Sequence, residues 1–460
     1  MWNIYKNASW SEKKQIKKKV NCFRSFLVLC GIWLLLVIGV FFYQREWKFF
    51  LGNRWSTPLE CFEYDEFLRQ VVEEEKMSLI TGWSISDYDV QKCWKKVAIP
   101  KYIKKIPVSS IWHYAFHGKW IDSVHLPEGL LHIGKEAFSN NHLTSIKLPS
   151  TLLKMDNQAF SDNKLTSLQL PNALKGIPEQ TFARNQIQSL ILWKELESIG
   201  YAAFADNQLS SIHFPSSLKR IGASAFHNNQ LKTLVLPENL EQLEYATFSK
   251  NKLIGVKLPN SLRKIGAYTF HQNALEVVGF PHWLEEIGTG AFLENSLVSL
   301  DLPDEIELIH PYSFADNKLY FIDFPNRVKE IRKWAFQKNE LFSLVIPHTV
   351  EKIERLAFYD NDLHHIDLFS GLEMIGSLAF AQNALTWIAL PHTLKKVYYN
   401  AFDREIIEDL KFLGEKASLC IDRIEDKGFP IYDQVLKQLK DFPSCSKNMH
   451  SEDLDGVLDT

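Results

Sequence analysis

Residues 209–230 read Leu209-Ser-Ser-Ile212-His-Phe214-Pro215-Ser-Ser-Leu218-Lys-Arg-Ile221-Gly222-Ala-Ser-Ala225-Phe226-His-Asn-Asn229-Gln230, and the pattern recurs along most of the chain. Its clearest mark is phenylalanine. Phe116, Phe138, Phe160, Phe182, Phe204, Phe226, Phe248, Phe270, Phe292, Phe314, Phe336, Phe358, Phe380 and Phe402 stand once every 22 residues without a slip. A single globular core imposes no such period. Self-similarity at roughly 20 to 50 residues marks a solenoid, whose units bury their apolar faces only against their neighbours. The expected architecture is a β-rich repeat solenoid with short helical turns, and binding is its default function.

Each position of the unit has a physical reading. Leu209 to Phe214 is expected to be a short strand, with Ile212 and Phe214 inward and Ser211 and His213 outward, as period 2 requires. Pro215 ends it, lacking an amide donor for a ladder. Proline recurs there in nearly every unit, with Trp193 and Phe369 as exceptions. Leu218 and Ile221 return across the core. Gly222, like Gly134, Gly200, Gly266, Gly288 and Gly376, suits a turn that tolerates positive φ. Asp156, Glu244 and Arg332 take that place elsewhere, so the turn does not demand glycine. Ala225-Phe226 is expected on a short helical turn, Ala admitting the next coil and Phe filling the interior. Phe138, Phe160 and Phe248 hold the same place in their units. Three residues after each Phe from Phe138 to Phe380 comes Asn, as at Asn141, Asn163, Asn207 and Asn229. An amide both donates and accepts, so it can satisfy backbone groups on two adjacent coils.

The unit Leu-x-x-Ile-x-Leu-Pro-x-x-Leu-x-x-Ile-Gly-x-x-Ala-Phe-x-x-Asn resembles the BspA-type leucine-rich repeat of bacterial and protist surface proteins. Lys96-Val97-Ala98-Ile99-Pro100, followed by Ile106 to Ile111, resembles that family's irregular first repeat. The resemblance covers about residues 95–413 and implies a leucine-rich-repeat solenoid serving adhesion or protein binding. No cell-wall sorting motif follows the repeats, so attachment is expected through the amino terminus. Ile407, Leu410 and Phe412 keep the strand phase, giving fourteen strand-like segments from Ile121 to Phe412. At about 4.8 Å between strands, their sheet is expected to run roughly 65 Å.

Outside the repeats, charge and hydropathy organise the chain. Hydrophobic residues make up 46% and charged residues 23%, a balance normal for folded protein. The formal net charge is -3, yet residues 1–43 hold seven Lys or Arg against Glu12 alone. The rest of the chain is therefore acidic, which gives no support to nucleic-acid binding. The basic cluster precedes Phe26 to Tyr43, an uncharged apolar run about 27 Å long as a helix. That nearly matches a hydrocarbon core of about 30 Å. A cleaved signal peptide and a buried helix are the alternatives, but no small-residue cleavage site follows the run. The expected plan is a basic cytoplasmic segment at 1–24, a transmembrane signal anchor at 25–43 and a juxtamembrane segment with an amino-terminal cap at 44–94. The solenoid at 95–413 and a carboxy-terminal cap with acidic tail at 414–460 complete it. By the positive-inside rule, the repeats lie on the extracytoplasmic side. Residues 63–76 read as a short capping helix and Tyr432–Leu439 as another, and the acidic end reads as disordered. Cys61 and Cys93 precede the repeats and Cys420 and Cys445 follow them, so two end-cap disulfides, Cys61–Cys93 and Cys420–Cys445, suit an exported solenoid; free thiols are the alternative.

Motifs for chemistry are missing: no phosphate loop, no Cys-x-x-Cys, no His-Glu-x-x-His and no Gly-x-Ser-x-Gly. His364-His365 is the nearest approach to a metal pair, but adjacent strand residues face opposite sides. No catalytic residue, cofactor or metal is expected. The outward strand positions say more. Ser145, Ser167, Ser189, Ser211 and Thr233 are small, whereas the later repeats place Tyr320, Phe321, Phe342, His364, His365 and Trp387 there or next to there. Asp301, Asp323 and Asp367 run alongside. Exposed aromatics with charged neighbours have the composition of a binding patch for a protein or cell-surface ligand. The competing reading is that these rings merely cover the inner rows. A structural envelope or intracellular scaffold protein is the alternative function.

Overall fold

The computed structural model describes residues 59–73, 76–89, 95–398, 400–403, 410–412 and 420–422. From Ser110 to Phe402 the chain winds as a β-solenoid, one coil per 22 residues, and neighbouring coils bond along three sides. The first side carries the expected strands in parallel pairs: Ser167–Gln169 with Ser189–Ile191, Phe321–Asp323 with Ser299–Asp301, Ser343–Ile346 with His365–Leu368, and Ile388–Leu390 with Leu410–Phe412. A second ladder, unforeseen from the sequence, lies where the chain returns. Two-residue strands such as Glu330–Ile331, Lys352–Ile353 and Met374–Ile375 pair in register there, each burying its isoleucine. The third side is the turn around each Phe. Phe226 N–H donates to Thr247 O on the next coil at 3.0 Å, and Ser224 and Asn228 donate likewise.

The interior follows from this stacking. Successive Phe rings from Phe116 to Phe402 lie parallel; Phe138 and Phe160 are 5.2 Å apart and tilted by 8°, Phe226 and Phe248 5.7 Å and 6°. Each ring from Phe116 to Phe380 is wholly buried. Burial of one contributes about 1.5–3 kcal/mol, and offset stacking adds about 0.5–1.5 kcal/mol. Leu209, Leu218 and Ile221 close the cavity around it, with Ile212 nearly as deep. Where Thr or Ser replaces the Ala before Phe, its hydroxyl donates to the carbonyl three residues back, as Thr247 Oγ1 does to Glu244 O at 2.8 Å.

Several expectations need correction. The strand ladder is not continuous. Among the described residues no strand forms at 145–147, 211–213 or 277–279, although the second of these lies in the unit Leu209 to Phe214. Ile212 is still buried and Ser211 and His213 exposed; Phe214 is half-buried, edge-on to Phe226 at 5.5 Å. The turns at Phe are not helical. Residues two before and two after each Phe from Phe116 to Phe380 adopt left-handed backbone, as at Ser224 (φ 55°) and Asn228 (φ 53°), or Trp334 (59°) and Lys338 (52°). Such residues cost about 1–2 kcal/mol each in isolation, and bonds to the neighbouring coils hold them there. Positive φ therefore sits beside Phe and not at the glycine position. Gly222 has another reason: a Cβ there would stand 2.7 Å from Tyr201 N and 2.8 Å from Gly200 C. Close approach of two coils favours glycine at that corner.

Residues 63–76 are not a helix either. Phe62–Glu73 and Lys76–Tyr88 form an antiparallel hairpin, and its second strand runs parallel to Ile106–Ile111. That strand in turn bonds the second ladder through Ser110 and His132. The apolar spacing of Phe67 and Val71 suggested a helix. An open edge of the first coil offers unpaired backbone groups, and covering it with a hairpin outweighs local propensity. Tyr88 and Phe62 cap the ring stack, Tyr88 lying 5.3 Å from Phe116. Burial pushes the Tyr88 phenol up to about 12. Cys61, beside them, is buried and disulfide-bonded. Cys420 opens a strand, Cys420–Asp422, that extends the second ladder past Lys396–Tyr398. Cys93, Cys445, the basic segment, the span at 25–43, the helix expected near Tyr432 and the acidic end lie outside the described residues. Among the described residues, no helix is long and apolar enough to cross a membrane.

Candidate functional site

Asparagine supplies the most regular side-chain chemistry. Asn229 Oδ1 accepts from Leu209 N–H at 3.0 Å, while its amide group donates to Phe204 O at 2.9 Å and to Phe226 O and His227 O at 3.3 Å. Asn141, Asn163 and Asn207 bond the same way: Oδ1 takes an amide 20 residues back and Nδ2 the carbonyl of the preceding coil's Phe. Every polar atom of the amide is used inside the solenoid, so none is presented to a ligand.

The strand face differs. Strand alternation sends Phe321 and Asp323 outward while Ile322 goes in. Tyr320 is 66% exposed, Phe321 52%, Phe342 50% and Trp387 50%. Each of these rings keeps half or more of its surface in solvent. Phe342 stacks on His364 at 4.5 Å, and His365 lies 5.7 Å from Trp387. His365 Nε2 meets Asp367 Oδ1 at 2.9 Å, both half-buried, and Asp323 is exposed beside Phe321. Ser343, in register with His365, is exposed between the coils of Phe321 and His365 and leaves a low point in that row. His364 and His365 take separate partners, His364 bonding Asp362 O at 2.8 Å. Among the described residues no three His, Cys, Asp or Glu converge as a metal site would require.

Reading only aromatic residues left part of this face unnoticed. Val345 is exposed in the column of Asp323 and Asp367, and Ile254 and Val298 precede Tyr320 in its own column. Aligning the sequence in rows of 22 exposes these columns directly. Around the Phe turns, a second aromatic group forms where helical geometry was expected. Tyr312 and Trp334 stack at 4.7 Å and 6°, with the Arg355 guanidinium 5.9 Å from the Trp334 ring centre. At the amino-terminal end Ser110 Oγ lies 3.1 Å from His132 Nδ1, and His132 Nε2 lies 2.8 Å from Asp156 Oδ2. Burial opposes ionisation of Asp156, but hydrogen bonds from His132 and Lys154 outweigh it and hold the carboxyl well below its usual range. Ser110 is 1% exposed. No substrate reaches it, and the three residues bridge successive coils.

The repeat matches the BspA type leucine-rich repeat region in six copies, at residues 109–232, 197–320 and 285–408. No curated protein matches the chain. Among solved structures, a leucine-rich repeat protein from Bacteroides ovatus is 21% identical, covering 76% of this chain and 98% of that one with a TM-score of 0.47. The pneumococcal vaccine antigen PcpA is 19% identical, covering 78% and 98% with a TM-score of 0.43. The T. pallidum leucine-rich repeat protein is 23% identical, covering 47% and 88% with a TM-score of 0.31. With matched repeats running from residue 109 to residue 408, this chain belongs to the leucine-rich repeat family of BspA type.

Proposed function

We propose that this chain is a membrane-anchored, non-enzymatic surface protein whose late strand face binds protein or mediates adhesion. The observation that carries the binding is the exposure of Tyr320, Phe321, Phe342, Val345 and Trp387 on one face, within or directly before paired strands that fix the backbone. Aromatic anchors on a fixed scaffold lose little conformational freedom on binding, and such residues dominate interface energetics. Anchoring falls to residues 25–43, with the basic segment 1–24 in the cytoplasm and the repeats outside. The disulfide at Cys61 supports an oxidising compartment for the solenoid.

A photo-cross-linking residue at Phe342 tests the binding. Displayed on cells, it is expected to capture a protein partner, whereas the same residue at Tyr201, exposed near a Phe turn, captures none. Equal capture at both sites, or none at Phe342, overturns the assignment. Location is tested separately. Protease added to intact cells is expected to release repeat peptides, and complete protection refutes the orientation.

A further inference from the structure

The face that carries the aromatic anchors is electrically bipolar. Along residues 142–260, the outward strand positions and their flanks present Lys147, Lys164, Lys194, Lys232, Lys252 and Lys257 against one acid, Glu238. Along residues 296–392 the same places present Asp301, Asp304, Asp323, Glu340, Asp362 and Asp367 against one base, Lys318. All but the half-buried Asp367 are exposed, and among the described residues Lys147, Lys164, Lys232, Asp301, Asp304 and Asp323 enter no ion pair. Aromatic rings follow charge. The basic half bears Ser145, Ser167, Ser189, Ser211 and Thr233 with the aliphatic Ile191, Val235 and Ile254, and the acidic half bears Phe321, Phe342, Val345 and Trp387.

We infer that the partner this face fits is a second copy of the chain, packed antiparallel, the basic half of each over the acidic half of the other. The inference rests on the reading that the strand face binds protein. A two-fold axis lying between the coils of residues 255 and 277 sets Phe321 over Ser211, Trp387 over Ser145, Val345 over Ile191 and Lys164 over Asp362. The rings of Phe321 and Trp387 thus meet serines, and the exposed Val345 and Ile191 meet one another, contacts that interdigitated sheet packing accommodates. Glu238 then meets Asp304, so it is the summed charge of the halves that sets the orientation. Twelve coils at about 4.8 Å and about 13 Å of strand give roughly 700 Å² per copy. A standard interface takes about 800 Å² per partner, so the face is of the right size for a stable dimer. Side-by-side parallel copies would set like charge on like, which complementarity disfavours.

Charge exchange in the full-length chain, purified in detergent, decides the matter. One variant carries Asp301→Lys, Asp323→Lys and Asp367→Lys, which turns the acidic half's excess of acids into a slight excess of bases. The other carries Lys147→Asp, Lys164→Asp and Lys232→Asp, which turns the basic half's excess of bases into a slight excess of acids. Two differently tagged wild-type copies are expected to co-purify, and less so at 0.5 M salt because only about 4 Å of screening length remains there. Each variant is expected to bind itself at least tenfold more weakly than wild type, and the two variants are expected to bind one another at least as well as wild type. Recovery in the mixture also shows that both variants are folded. A wild-type chain that stays monomeric at tens of micromolar, or variants that self-associate like wild type, overturns the inference. If Phe342 then cross-links a different protein, the binding face stands with another occupant. If it cross-links nothing, both readings fall.

Discussion

The two sides of each coil follow opposite rules. Around the Phe turn the same residues recur: a ring stacked on its neighbours, an Asn bonded to its own and the preceding coil, and left-handed backbone on either flank. On the strand face only the inward residues repeat. The outward ones run from serine to phenylalanine and tryptophan, and from lysine to aspartate. A position that every coil repeats has a task that every coil shares, which is stacking. A position that drifts has been released from that task, and only there can one part of a solenoid differ in function from another.

Substitutions that separate the two sides test this rule. The largest effect belongs to the ring stack. Phe248→Ala is expected to destabilise by about 3–5 kcal/mol through the cavity it leaves, while Lys232→Ala on the strand face leaves the denaturation midpoint nearly unchanged. Similar midpoints for the two would show that inward and outward rows are misassigned. Asn229→Ala comes next, at about 1–3 kcal/mol, because Leu209 N–H and the carbonyls of Phe204 and Phe226 lose their partner inside the coil. A loss confined to a few tenths of a kcal/mol would mean that water replaces the amide.

Backbone strain gives a smaller contrast. Lys250 is exposed with φ at 53°, and Gly relieves the left-handed cost there. Lys250→Gly is expected to stabilise by about 0.5 kcal/mol, whereas Lys232→Gly, without positive φ, destabilises by about 0.5–1 kcal/mol. Urea denaturation that gave both the same sign would refute the strain. The smallest effect is the acid dependence of the bridge at Asp156. Its folded carboxyl titrates below the unfolded value of about 3.9, so its contribution is present above about pH 4 and is lost as pH falls through the folded value. The stability gap between wild type and Asp156→Asn is expected to narrow steadily below pH 4. A gap independent of pH would place the carboxylate's role elsewhere.

Period and burial were legible in the sequence because 22-residue spacing names the residues that share a column, and column mates share an environment. Phe226, Leu218 and Ile221 are buried for that reason, and Tyr320, Phe321 and Trp387 stand exposed for the same reason. Backbone conformation was less legible. Nothing in Ala-Ser-Ala-Phe announces left-handed φ at Ser224, because bonds to the next coil impose it and the local sequence does not. The second ladder escaped notice since two-residue strands show no alternation. The hairpin at 62–88 escaped because an edge needing cover is a property of the assembled solenoid, while the spacing of Phe67 and Val71 is local. The charge reversal along the strand face was visible all along, but only once the rows are aligned does it become a feature of one surface.

The most direct test of the division between architecture and binding is the double variant Phe321→Ser with Trp387→Ser, measured for melting temperature and for capture of the partner in the same preparation. Both rings are half exposed, so stability is expected to change by about 0.5 kcal/mol or less per site, while capture falls at least tenfold. Unchanged capture, or a loss of stability approaching that of Phe248→Ala, would contradict the account and return these residues to the scaffold.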